Sequence, residues 1–82
     1  MSSIRALNPR IKWFNEEMRK KLRLNTHKPD ARGCYKEDMM EKLLHEVEEL
    51  TAVINHSDRT AIISECADVA NYAMMIADMV KP

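Results

Sequence analysis

The sequence has very few of the residues that break helices or favour sheets. Its 82 residues include one Gly, three Pro and four aromatic side chains, whereas Leu, Met, Ala, Glu and Lys, which favour helices, are frequent. This composition excludes a turn-rich β architecture and indicates an all-α chain. A chain of this length also has little core of its own, so we expect a bound ligand or a partner chain to complete it.

Cysteines and long apolar runs are also scarce. Cys34 and Cys66 form no CxxC pair and lack zinc-finger spacing with His27 and His45, so we expect two reduced thiols. No run of about 18 apolar residues is present. The first residues, MSSIRALNPR, lack the apolar core of a signal peptide. These absences predict a cytoplasmic protein that does not span a membrane.

The net charge of zero conceals two halves of opposite sign. Residues 1–36 contain ten Lys/Arg against three Asp/Glu, and residues 37–82 contain three against ten. Such a dipolar chain favours contacts between its halves, or a site that needs both cations and acidic ligands. Because the acidic half would be repelled by phosphates, we expect no binding to duplex nucleic acid.

The spacing of apolar residues predicts a single domain, residues 1–82, of three main helices. These cover about residues 9–23, 37–55 and 58–80, with a cationic loop at 24–35 that holds the only Gly. The third helix is apolar nearly all round, and such a helix is normally buried on most sides. Since three helices cannot bury it fully, we expect dimerisation to complete the bundle.

Capping residues predict where two of the helices begin. Asn8 can accept a hydrogen bond from first-turn N–H groups, and Pro9 suits the first helical position, so the first helix should start there. Either Ser57 or Asp58 can cap the third helix. The apolar stripe of the first helix is narrow and consists of Ile11, Phe14, Met18 and Leu22.

The two most apolar helices each carry a pair of acids three residues apart. Glu46 and Glu49 share one face of the second helix, and Glu65 and Asp68 share one face of the third, because residues at this spacing differ by about 60° in direction. Glu48 lies off this line and is expected to be solvated. An ionised carboxylate taken out of water costs several kcal/mol unless it is compensated.

Three compensations are open to these acids, namely protonation, salt bridges and divalent cations. The third helix has no Lys or Arg between Arg59 and Lys81, so salt bridges within it are scarce. Oxygen-only ligands from facing helices suit Mg²⁺ or Mn²⁺. The two pairs, extended along the third helix by Asn71 and Tyr72, favour metal ligation over a solvated surface.

The order of these motifs resembles a known family. KLLHEVEEL at residues 42–50, followed by ECADVANY at 65–72, is similar to the MazG-like all-α nucleoside triphosphate pyrophosphohydrolases, whose signature is ExxE on one helix and ExxD on the next. The resemblance covers about residues 11–80. It implies Mg²⁺-dependent cleavage of an NTP or dNTP to the monophosphate and pyrophosphate. It also implies a site completed by a second subunit, in a homodimer or a dimer of dimers.

The resemblance also implies roles for particular residues. Either Glu46 or Glu49 would orient or deprotonate the attacking water. The implied metal ligands are Glu46, Glu49, Glu65 and Asp68. Candidates for substrate contacts, each with an alternative role in packing, pairing or solvation, are Asn71, Tyr72, Lys42, Lys28 and Trp13.

One position departs from the pattern of this family. Many members carry two adjacent glutamates where this chain has His45 and Glu46. His45 is therefore either a substitute ligand or water contact, or an exposed helix residue. Two non-catalytic functions stay open beside the hydrolase: an interaction module whose acids hold a structural metal, and a nucleotide-binding regulator without turnover.

Overall fold

A computed structural model describes residues 4–24 and 35–82 of the chain. Every regular element in these ranges is a helix, which confirms the all-α prediction. The helices are α1 (Ile4–Leu24), α2 (Lys36–Val53) and α3 (Arg59–Val80). Most of the predicted loop at 24–35 lies outside the described residues. Across the two described ranges, no helix is both long and apolar enough to cross a membrane.

Helix α3 lies between the other two helices and packs against both. Within the described ranges, α1 and α2 do not pack on each other. A short connection at residues 54–58 joins α2 to α3. Helix α1 runs antiparallel to α3, with Met18 beside Asn71 and Lys21 beside Asp68. Contacts on two sides account for the apolar character of α3 around most of its circumference.

Helix α1 begins earlier than the sequence predicts. It starts at Ile4 and contains Pro9, so the predicted start at Asn8 and Pro9 is wrong. Proline has no N–H and cannot bond the carbonyl four residues before it. Because Pro9 lies in the second turn, the bond lost is the one that the Arg5 carbonyl would accept from the N–H of residue 9.

The face of α1 that packs on α3 differs from the predicted apolar stripe. Ile11 is 53% exposed and Leu22 is 36% exposed. The partly buried residues of α1 follow helical spacing instead: Phe14, Glu17, Met18 and Lys21. Lys21 and the carbonyl of Met18 meet polar side chains of α3, so hydrogen bonding and charge, in addition to apolar burial, set the rotation of α1.

Four of the described residues are buried, and two of these are polar. Met39 and Ala67 are 2% and 1% exposed, and Glu46 and Asn71 are 8% and 4% exposed. Buried polar groups are costly unless they are paired. The interior around α3 therefore coincides with the candidate site.

Asp58, one of the two candidate residues, is the cap of α3. Its backbone is extended, with φ −77 and ψ 94, and its side chain accepts a hydrogen bond from the N–H of Ala61 at 3.1 Å. The cap satisfies one of the first-turn N–H groups that have no partner within the helix. It also ends the connection from α2, so it helps to fix where the α2–α3 hairpin turns.

We expect Asp58→Ala to lower the free energy of unfolding by about 1 kcal/mol, because the Ala61 N–H loses its acceptor. Urea unfolding followed by circular dichroism measures the change. Ser57→Ala is the matched control and should stay within about 0.5 kcal/mol of the wild type. Equal losses in the two variants would contradict the assignment of the cap.

Candidate metal centre between the second and third helices

Three glutamates meet where α2 faces α3. Glu46, Glu49 and Glu65 each offer a carboxylate oxygen, and these oxygens lie within 4.8 Å of one another. Glu46 and Glu49 come from successive turns of α2, and Glu65 faces them from α3. Glu49 is hydrogen-bonded to both of the other carboxyls, so it lies between them. The α2–α3 hairpin thus brings together three of the four acids that the motifs single out.

The exposure of these carboxyls and their hydrogen bonding fit a cation. Glu46 is 8% exposed and the side chain of Glu49 is 43% exposed. The Oε2 atoms of Glu46 and Glu65 are buried and have no hydrogen-bond partner. Leaving such an acceptor unpaired is costly. An oxygen-only donor set with unused lone pairs is the set that Mg²⁺ or Mn²⁺ prefers, so the residues present are compatible with a divalent metal.

Burial and mutual repulsion separate the pKa values of the three glutamates. Burial, together with the hydrogen bond that protonated Glu46 donates to Glu49 and the charges of nearby acids, raises the pKa of Glu46 to about 7. Burial and the contact with Glu49 raise the pKa of Glu65. Hydrogen bonds from Glu65 and Glu46, with a smaller contribution from His45, lower the pKa of Glu49. Near neutral pH Glu46 is therefore partly protonated, and a bound cation would displace that proton.

The fourth acid, Asp68, is paired with a lysine from α1. The Nζ of Lys21 lies 3.2 Å from Oδ2 of Asp68 and donates to Oγ of Ser64 at 2.8 Å. The side chains of Lys21 and Asp68 are only 21% and 15% exposed. Lys21 was not among the residues that the sequence singled out, because it is 43 positions from Ser64 and no local spacing links them. The one signal in the sequence was its helical spacing from Phe14 and Met18, which places Lys21 on the same face of α1.

Asn71 and Tyr72 continue from the acids along α3. The Nδ2 of Asn71 donates to the carbonyl of Met18 at 3.0 Å, whereas its Oδ1 is buried without a partner. Tyr72 is partly buried. Burial first, and then the charge of Glu46, raise the pKa of Tyr72, while Lys42 lowers it. Tyr72 therefore lies close enough to the acid cluster to be affected by its charge, and Asn71 contributes to the packing of α1.

The other predicted residues lie at the surface or outside the described ranges. His45 is 66% exposed, yet its Nε2 lies 3.1 Å from Oε1 of Glu49, so it contacts the cluster from the solvent side. Trp13 is 50% exposed, and its ring centroid lies 6.0 Å from that of Phe14. Lys42 and Glu48 are exposed. Lys28 lies outside the described residues.

A pocket of about 340 Å³ opens between the end of α1 and the start of α3. Lys20, Lys21, Thr60 and Ser64 are among its lining residues. Because Lys21 also contacts Asp68, its ammonium group lies between this pocket and the acid site. The pocket therefore adjoins the site from the side opposite α2.

The stability of the metal-free protein should fall as Glu46 loses its proton. Its pKa is raised from 4.5 to about 7 in the folded chain, so between these pH values the folded state retains a proton that the unfolded state has released. The free energy of unfolding should therefore decrease as pH rises through this window, by on the order of 2 kcal/mol. Glu46→Gln cannot ionise and should lose this dependence.

Urea unfolding in EDTA at about pH 5 and pH 8 measures the difference. Glu46→Gln should be more stable than the wild type at the higher pH and similar at the lower. Glu48→Gln, an exposed position on the same helix, should keep the wild-type dependence. A variant Glu46→Gln with the wild-type pH dependence would show that Glu46 does not carry the effect.

A comparison with known protein families matches the part of the chain that carries the glutamate cluster. The profile of the MazG nucleotide pyrophosphohydrolase domain matches residues 35–81, more than half of the chain, and this stretch contains α2, α3 and the three-glutamate cluster. No curated protein and no solved structure matches the chain. On the strength of the profile match, the chain belongs to the MazG nucleotide pyrophosphohydrolase domain family.

Proposed function

We propose that the protein is a Mg²⁺-dependent pyrophosphohydrolase that cleaves an NTP or dNTP to the monophosphate and pyrophosphate. The observation that carries the proposal is the cluster of Glu46, Glu49 and Glu65, in which two buried carboxylate oxygens have no partner. The family match supports a nucleotide as the substrate. A site of carboxylates alone suits Mg²⁺, with Mn²⁺ as a substitute.

The four acids have different parts in this proposal. Glu46, Glu49 and Glu65 would hold the cation, and Asp68 would join them as the fourth ligand. A bound Mg²⁺ would neutralise charge on the triphosphate and make water a stronger nucleophile at neutral pH. Glu49 is far more exposed than Glu46. That difference favours Glu49 as the residue that orients the attacking water, whereas Glu46, whose pKa is raised to about 7, is the better proton acceptor.

Substrate contacts follow from the positions around the cluster. Lys42 is exposed near Tyr72 and can meet a phosphate, and Tyr72 can stack on a base. Asn71 holds α1 through its amide, and its buried Oδ1 is the part available to a substrate group. Lys28 and Trp13 are proposed as further contacts, to phosphate and base respectively. His45 would steady the solvent-facing side of Glu49.

We also propose that the chain forms a homodimer, or a dimer of dimers, through α2. One face of α2, continued by its C-cap residue, exposes four apolar side chains, each between 39% and 51% exposed: Met40, Leu44, Val47 and Ile54. The chain has 6581 Å² of accessible surface, against about 5,100 Å² expected for a compact monomer of this mass. Covering the α2 face with a second copy would remove part of this excess.

Leu44→Glu should convert the assembly to a monomer, because it places a charge in the centre of the proposed interface. Size-exclusion chromatography with light scattering measures the mass, which for the wild type should be two or four times the 9.6 kDa of the chain. Glu48→Lys changes charge on the same helix outside this face and should leave the assembly intact. A monomeric wild type at about 100 μM, well above typical dimer dissociation constants, would refute the interface.

Hydrolysis is tested with a complete panel of NTPs and dNTPs. We expect Mg²⁺-dependent release of pyrophosphate from at least one of them. Glu49→Gln and Asp68→Asn should each lower kcat/KM by about 100-fold or more, because each removes charge that holds the cation. Glu48→Gln is the same substitution on an exposed residue of the same helix, and it should stay within about twofold of the wild type.

Other results of the nucleotide panel would refute the hydrolase or favour one of the two non-catalytic functions. No turnover by folded protein with metal present would refute the hydrolase. Binding of a triphosphate without turnover would instead indicate a regulator. A rise in melting temperature with Mg²⁺ alone, and none with nucleotide, would indicate an interaction module held by a structural metal.

A further inference from the structure

We propose that Lys21 is an exchangeable counter-ion of the acid site, which holds Asp68 when no cation is bound and releases it when one binds. The inference rests on the proposed metal site and adds to it a residue from α1. Helix α1 lies outside the matched stretch 35–81, so the family profile does not cover this contact. Lys21 would be a positioning residue that acts through Asp68.

The contact between Lys21 and Asp68 differs from the surface ion pairs of the chain. Both side chains are largely buried, and Lys21 is held a second time by Ser64. By contrast, the pair between Arg19 and Glu16 has side chains that are 63% and 50% exposed. Exposed pairs contribute little, whereas a buried charge that loses its partner is strongly destabilising. Asp68 therefore needs a cation beside it, whether an ammonium group or a metal.

The charges around Asp68 make Lys21 a competitor of a metal ion. From α2, Glu46 and Glu49 face α3, and from α3 itself Glu65 joins them. The negative charge of Asp68 raises the pKa of both Glu46 and Glu65, and the charge of Lys21 lowers that of Glu65. Asp68 and Lys21 therefore act on the same cluster with opposite sign. A divalent cation at the cluster would be attracted by Asp68 and repelled by Lys21.

The pocket beside Lys21 provides room for its release. Lys21 lines a space of about 340 Å³ together with Ser64 and Thr60. A lysine side chain is flexible and carries three donors, so it can leave Asp68 while it keeps the hydrogen bond to Ser64. Exchange therefore requires a change of side-chain rotamer and no movement of α1.

Lys21→Met tests the proposal, because it removes the charge and keeps the length of the side chain. We expect Mn²⁺, measured by calorimetry in the absence of nucleotide, to bind about tenfold more tightly to this variant. Lys21→Arg should restore the wild-type affinity. Lys20→Met is the matched control: Lys20 lines the same pocket but has a side chain that is 59% exposed and pairs with Glu17 of its own helix, and its loss should change the affinity by less than about twofold.

Two further measurements separate this role from a structural one. In an Asp68→Asn background, Lys21→Met should raise the Mn²⁺ affinity by a smaller factor, because the carboxylate for which Lys21 and the metal compete is absent. In the wild type, addition of Mg²⁺ should shift the ammonium nitrogen signal of Lys21 in a lysine-labelled NMR spectrum and leave that of Lys20 unchanged. The NMR measurement does not depend on the stability of any variant.

An equal or weaker Mn²⁺ affinity of folded Lys21→Met would overturn the inference and leave the hydrolase proposal standing. An unmoved Lys21 signal in the wild type with Mg²⁺ bound would do the same. Tighter binding without turnover on the nucleotide panel would support the role of Lys21 and refute the hydrolase. No Mn²⁺ binding to any variant would overturn both proposals.

Discussion

Carboxylates enclosed where α3 packs on α1 and on α2 are the constraint on which the rest of this structure depends. Each ionised group in such a place costs several kcal/mol unless something compensates it. Towards α1 the compensation is complete, because Asp68 meets the ammonium group of Lys21. Towards α2 it is partial: Glu46 is partly protonated, the glutamates share hydrogen bonds, and two oxygens still have no partner. The side of α3 that faces α2 is therefore the one suited to binding a cation.

Helix α1 connects the architecture to this electrostatic balance. It is docked on α3 by apolar contacts from Phe14 and Met18, and also by the two polar links that Lys21 and Asn71 provide. The docking of α1 and the charge of the site therefore depend partly on the same atoms. Replacing Lys21 by a metal cation as the partner of Asp68 would alter the free energy with which α1 docks on α3. Cation binding and the stability of the chain are therefore coupled.

The small interior has consequences for the whole chain. With two of its four buried residues polar, the described chain closes little apolar core around α3, and α2 keeps an exposed apolar face. Stability is then expected to come partly from binding, since a ligand or a second copy that binds only the folded state stabilises it.

Local pattern by itself determined the class of fold, the presence of three helices, the pairing of the acids and the family, because helical period and motif spacing are recorded within a few turns of chain. It also predicted that acids of α2 and α3 face each other, and the short hairpin brings Glu46, Glu49 and Glu65 together in this way. Only the tertiary structure decided that α1 begins at Ile4, that α1 turns Lys21 inward instead of Ile11 and Leu22, and that Asp68 is paired. These features depend on docking between helices far apart in sequence, and a contact across such a separation leaves no periodic trace in either segment.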